Sequence, residues 1–195
     1  MQAILNSRRL LWALLALPGV AMLARLGSGR AEIADLLYPS GEVSARLMIV
    51  AMSIAPLIAV VGARGWLRWL AARRRAFGVA AFGYALLHLI LYVLDMETAG
   101  AMLAEFAAPG IWTGWVAFAL MIPLALTSND RAMRQLRATW KVVQRLVYPA
   151  ALLTLLHWVF VHNNLAAALA HFVPLAVILL LRFVRSAPLM QGRYT

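Results

Sequence analysis

Residues Arg73 to Asp95 read RRRAFGVAAFGYALLHLILYVLD, a basic cluster running into an apolar stretch of membrane-spanning length that carries one histidine, His88, well inside it. An imidazole placed in lipid costs free energy unless something binds it, so an ionisable group at that depth marks a functional site by default. The reading of the chain turns on what His88 binds and which other segment shares the task.

Composition sets the surroundings of this helix. Of the 195 residues, 64% are hydrophobic and 13% charged, with a mean hydropathy of +0.82, whereas soluble domains carry about a quarter charged residues. These values predict an integral membrane protein. A net charge of +11 would suggest nucleic acid in a soluble chain. Here the arginines fall between long apolar runs, where topology explains them, and no nucleic-acid partner is expected. The absence of cysteine excludes thiolate metal sites, disulfides and iron–sulfur clusters. Arg8 and Arg9 precede an apolar run as in a signal peptide. That run contains Pro18 and continues to Leu23 without a small-residue cleavage site, which predicts a retained first helix.

Allowing about 20 residues per span, the chain reads as an all-α bundle of six transmembrane helices in one domain covering residues 1–195. The predicted spans are roughly 8–25, 45–62, 75–95, 109–127, 144–162 and 165–185. With the N-terminus inside, Arg8, Arg9, Arg64, Arg68, Arg73 to Arg75, Arg131, Arg134, Arg137, Lys141, Arg145, Arg182, Arg185 and Arg193 all lie on one side. Only Arg25, Arg30 and Arg46 lie on the other, so both termini are expected to be cytoplasmic. Glu32, Asp35, Glu42, Asp95, Glu97 and Glu105 are expected outside and Asp130 inside. The stretch from Gly27 to Glu42, with Gly, Pro and Ser around Tyr38, reads as a long outer loop that caps the bundle. Trp66, Trp69, Trp112, Trp115 and Trp140 fall near helix ends, as interfacial belt residues do.

All four histidines, His88, His157, His162 and His171, belong to the outer half. His88 lies about 10 Å below the outer end of the third span and His157 about 7 to 8 Å below that of the fifth, at helical rise. These two spans run in the same direction, so the imidazoles can face each other at one depth and clamp a porphyrin iron from both sides. Gly78 and Gly83 remove bulk on the third span, and Tyr84 and Tyr92 flank His88 at i−4 and i+4 on its face. The alternative is that each histidine hydrogen-bonds a carbonyl across helices, since polar groups also glue membrane helices together. His162, beside Asn163 and Asn164, reads as a solvated turn residue. His171, about 9 Å into the sixth span, is open between an alternative axial ligand, a propionate partner, a proton donor and a cross-helix hydrogen bond. Arg75, with Lys141 and Arg145, could steer an anionic flavin phosphate, although topology alone predicts basic residues here.

Three segments carry a resemblance: RRRAFGVAAFGYALLHLILYVLD, LALTSNDRAMRQLRATW and VVQRLVYPAALLTLLHWV. Together they resemble the haem-binding membrane subunit of the methionine-sulfoxide reductase system, the MsrQ or YedZ type, within the ferric-reductase-like transmembrane superfamily. The similarity covers roughly Pro56 to His162. It implies a b-type cytochrome of the bacterial inner membrane. Such a subunit takes electrons from a cytoplasmic flavin reductase or membrane quinol and passes them to a periplasmic molybdopterin reductase that repairs oxidised methionine. His88 and His157 match the family's haem histidines, and FMN or quinone are further cofactor candidates. The sequence departs from the pattern at Gln144, where members usually carry another histidine; glutamine does not ligate haem iron, so one haem b is expected. Two other readings stand beside this one. The first is a stand-alone quinol oxidase or ferric reductase. The second is a cofactor-free transporter or assembly factor with relay histidines, against which the scarcity of carboxylates inside the spans speaks.

Overall fold

The computed structural model describes residues 7–162 and 164–186; Arg193 and Asn163, named above, lie outside them. Among the described residues there are nine helices: α1 (Arg8–Gly27), α2 (Ile33–Val61), α3 (Gly65–Asp95), α4 (Ala99–Glu105), α5 (Pro109–Leu126), α6 (Asp130–Leu136), α7 (Ala138–Gln144), α8 (Val147–His162) and α9 (Leu165–Ser186). Six segments are long and apolar enough to cross a bilayer, α7 and α8 together forming one of them.

Two helices are longer than the apolar runs predict. α2 begins at Ile33, so most of the expected capping loop is helical. The reason is a buried stripe of residues four apart, Leu36, Ser40, Ser44, Met48 and Met52, which is one face of a helix concealed by its serines. Glu32 N–H donates to Asp35 Oδ2 at 3.0 Å and caps the first turn. α3 begins at Gly65 rather than near residue 75. Its 31 residues extend about 46 Å, well beyond a hydrocarbon core of about 30 Å, so the basic cluster rides on a helical extension. There Arg74 Nε donates to Ala51 O at 2.8 Å, and the Arg73 guanidinium lies 4.0 Å from the Trp69 ring centroid. The fifth span is broken between α7 and α8 at Arg145 and Leu146.

Four helices form the centre. α2 packs on α3 in the most extensive pairing, α3 on α5, and α5 on α8, with α2 also touching α8. α1 lies outside against α3, and α9 outside against α2 and α8. With lipid outside the bundle, close packing replaces the hydrophobic effect as the force between helices. The core accordingly interleaves small residues, Ala45, Ala81, Ala150, Ala151 and Ala168, with Met48, Met52, Met121, Trp158 and Phe172. Ser44 Oγ donates to Ala81 O at 2.8 Å, tying α2 to α3.

Tyr84 is one of the links that join α1 to α3. Its hydroxyl donates to Leu15 O at 2.7 Å and accepts from Gly19 N–H at 2.8 Å, the pair that a regular helix would bond directly. The phenol thus inserts into the ladder of α1 beside Pro18, a known cause of helix bending. A Cβ at position 19 would stand 3.3 Å from the Tyr84 ring, so glycine permits the approach. Tyr84→Phe leaves both backbone groups without this partner and should lower stability by about 1–3 kcal/mol, measured by thermal unfolding in detergent.

Candidate functional site

α2, α3, α5 and α8 line a cleft whose empty space, the open region at its mouth included, is about 870 Å³. Each helix lines it at intervals of three or four residues: Gly41 and Ser44 from α2, His88 and Tyr92 from α3, Gly114, Phe118 and Met121 from α5, and Thr154, His157 and Trp158 from α8. α3 and α8 stand on the diagonal. Their imidazoles face across the cavity with ring centroids 5.9 Å apart and planes at 83°.

The two rings are seated by the same device. His88 Nδ1 lies 2.9 Å from Leu37 O, and a Cβ added at Gly41, one helical turn on, would stand 3.2 Å from the ring. His157 Nδ1 lies 2.6 Å from Gly110 O, and a Cβ at Gly114, again one turn on, would stand 2.6 Å from Nδ1. In each case a carbonyl at position i accepts from the ring and a glycine at i+4 makes room for it. A carbonyl can only accept, so both rings carry their proton on Nδ1 and present an unprotonated Nε2 when neutral. Such an outer hydrogen bond fixes the tautomer and ring direction of a metal-ligating histidine.

The other expected site residues lie elsewhere. Tyr84, named above as flanking His88, belongs to the α1 clamp, its hydroxyl bonded to Leu15 O and Gly19 N–H, and does not line this chamber. Gly78 and Gly83 have nothing within 4 Å of an added Cβ, so they do not shape the cavity; Gly41 and Gly114 do. His171 is engaged at both nitrogens: Nδ1 donates to Ala167 O at 2.8 Å and Nε2 accepts from Arg46 Nε at 3.1 Å. Its ring packs on Trp158 at 4.9 Å, and it leaves no free lone pair for a metal. His162 is at the cavity mouth, 4.8 Å from the Tyr38 ring. Glu42, expected in the outer loop, is instead on α2 and lines the cavity, where Arg46 Nη2 pairs with it at 2.7 Å and Tyr38 Oη donates at 3.3 Å.

A second cleft, with about 730 Å³ of empty space including its open mouth, lies toward the basic end and takes in Arg74, Arg75, Trp140 and Gln144. Met121 lines both cavities. Gln144 Nε2 donates to Thr127 Oγ1 at 2.9 Å. Arg75 lines this chamber, and not the one between the histidines, and its guanidinium pairs with Asp130. That hydrogen bond and charge hold the Asp130 carboxyl below the usual carboxylate range.

A multi-pass helical bundle with two opposed, carbonyl-anchored imidazoles over an internal chamber defines the class of this protein. Over residues 40–155 the sequence matches the family described as ferric reductase like transmembrane component. The chain belongs to the ferric-reductase-like transmembrane family and, within it, groups with MsrQ-type subunits. A relative in Xanthomonas oryzae, named protein-methionine-sulfoxide reductase heme-binding subunit MsrQ, is 32% identical over 155 residues, covering 77% of this chain and 69% of the relative. Proteins of the same name in Xanthomonas campestris and Rhizobium meliloti are 33% and 37% identical, covering 70% and 58% of this chain and 63% and 51% of theirs. No solved structure matches the chain.

Two outcomes follow. Gly114→Ala should cost about 1–3 kcal/mol through overpacking against His157, Gly41→Ala less, and Gly83→Ala nothing, measured by unfolding in detergent. The Arg75–Asp130 pair contributes stability in full above the ordinary aspartate range, and that contribution is lost as pH falls through the lowered folded value. Unfolding temperature against pH should therefore show an acid-side decline that is smaller in Arg75→Gln.

Proposed function

We propose that this chain is the haem-binding membrane subunit of a methionine-sulfoxide reductase system, with His88 and His157 as the two axial ligands of one haem b. The observation that carries the reading is the pair of opposed rings, each with Nδ1 spent on a carbonyl. An imidazole nitrogen sits about 2.0–2.1 Å from a first-row metal such as zinc and about 1 Å from its own ring centre, so ligands on opposite sides of one ion have centroids about 6 Å apart. The observed 5.9 Å agrees with that. Among the described residues no three His, Asp or Glu side chains converge on one point. A metal ion taking two protein ligands therefore suits a macrocycle that supplies the remaining donors. Held by His88 and His157, a haem would supply one-electron transfer.

The residues of the chain do the holding and shielding. Leu37 and Gly110 orient the rings, Gly41 and Gly114 give them space, and Phe118 and Met121 make an apolar wall. The predicted orientation places this chamber in the outer half of a bacterial inner membrane, with both termini cytoplasmic. The partner on the outer side is a periplasmic molybdopterin reductase, where the substrate chemistry occurs. The donor on the inner side is a cytoplasmic flavin reductase or membrane quinol, with FMN or quinone as the cofactor at that end. The relatives' printed names and the matching family support the system to which the chain is assigned.

Gln144, tied to Thr127 at the basic end, favours a single haem. The purified chain should show a Soret band with about one haem per polypeptide. His88→Ala and His157→Ala should bring this close to none, and His171→Ala should retain it. Two haems per chain would overturn the single-site reading, and haem retained in both His88→Ala and His157→Ala would overturn the ligand assignment.

A further inference from the structure

Among the described residues two buried side-chain polar atoms lack a hydrogen-bond partner, Tyr92 Oη and Trp158 Nε1, and both residues line the chamber between the histidines. Trp158 is only 5% exposed. Buried donors are almost always partnered, and an orphan calls for an acceptor from outside the fold. Neither residue is accounted for by the ring-seating device. Tyr92 stands one helical turn from His88 toward the end of α3, and Trp158 follows His157 directly, so the two donors flank the two proposed ligands.

We propose that Tyr92 Oη and Trp158 Nε1 donate hydrogen bonds to the carboxylate side chains of the porphyrin, an inference that rests on haem occupying this chamber. The indole N–H can only donate, and the phenol donates most favourably to an anion. The chamber's own carboxylate, Glu42, bonds Arg46 and Tyr38 through Oε1 and reaches neither orphan donor. A porphyrin with two carboxylates supplies one acceptor for each donor. Its pyrrole nitrogens do not, since they are committed to iron. These contacts would set the rotational position of the macrocycle about the axis through the two imidazoles, which axial ligation alone leaves undetermined. They would also disperse negative charge near the iron, favouring the ferrous state.

The test uses the full-length protein in detergent, with Tyr92→Phe as the primary variant because it removes one oxygen and keeps the ring, and Trp158→Phe as the second. Both should keep the bis-histidine spectrum. Each should release haem to apomyoglobin several-fold faster. The preference for ferrous over ferric haem should fall by up to about tenfold, a drop of up to 59 mV for a one-electron couple. Wild type and variants are then depleted of haem and reconstituted with etiohaem, in which alkyl groups replace the carboxylate side chains. The difference between wild type and Tyr92→Phe should then disappear. Unchanged release and potential in Tyr92→Phe with native haem would overturn the proposal. So would a difference that persists with etiohaem, the result expected if an ordered water were the partner. Absence of haem from the wild-type protein would instead overturn the function proposed above, which keeps the two failures distinct.

Discussion

A ring N–H inside a bilayer must find an acceptor, and no solvent is there to provide one. Both histidines on the central diagonal satisfy this with a main-chain carbonyl from a neighbouring helix, at positions 37 and 110. The rest of the arrangement depends on these two bonds. They determine which nitrogen is left with a lone pair on each of two rings that line one chamber. They also require α2 and α5 to approach so closely that a side chain on the facing turn would collide with the ring. Glycine at 41 and 114 follows from that geometry and not from any need for backbone freedom.

The same demand for closeness organises the packing. α5 carries glycines at 110 and 114, a small-xxx-small face of the kind that lets membrane helices touch. Position 110 meets Val161, where an added Cβ would be 2.8 Å away, and position 114 meets His157. One face therefore seats α8 and positions its histidine. α2 uses Ser40, Gly41, Ser44 and Ala45 in the corresponding way against α3. Its serines hydrogen-bond to carbonyls of Leu37 and Ala81, so their burial leaves no hydroxyl unpartnered.

Much of this was legible in the amino-acid order. The six apolar runs and the meeting of His88 and His157 between the third and fifth spans follow from helical rise and hydropathy. The start of α2 was not legible, because Gly, Pro and Ser together read as a turn, whereas in a membrane helix small and polar residues mark a packing face. Tyr84 and Tyr92 looked equivalent at i−4 and i+4 from His88. The structure separates them: one phenol meets α1 and the other faces the chamber, a distinction that depends on which neighbour covers each turn. The sequence GIWTG at 110–114 did hold a readable signal for the seating of His157. Leu37 and Gly110, by contrast, contribute only main-chain oxygen, which residue type does not encode.

α3 is continuous from Gly65 to Asp95, and His88 is bonded to α2. Arg75 and His88 are therefore points on one rod, thirteen residues or about 20 Å apart. The opposite wall is built otherwise, since the break at Arg145 and Leu146 separates α7 from the helix that carries His157. One imidazole thus shares an unbroken helix with the basic surface, while the other is separated from it by a tighter turn at Arg145 and Leu146, whose amides bond three residues back and not four.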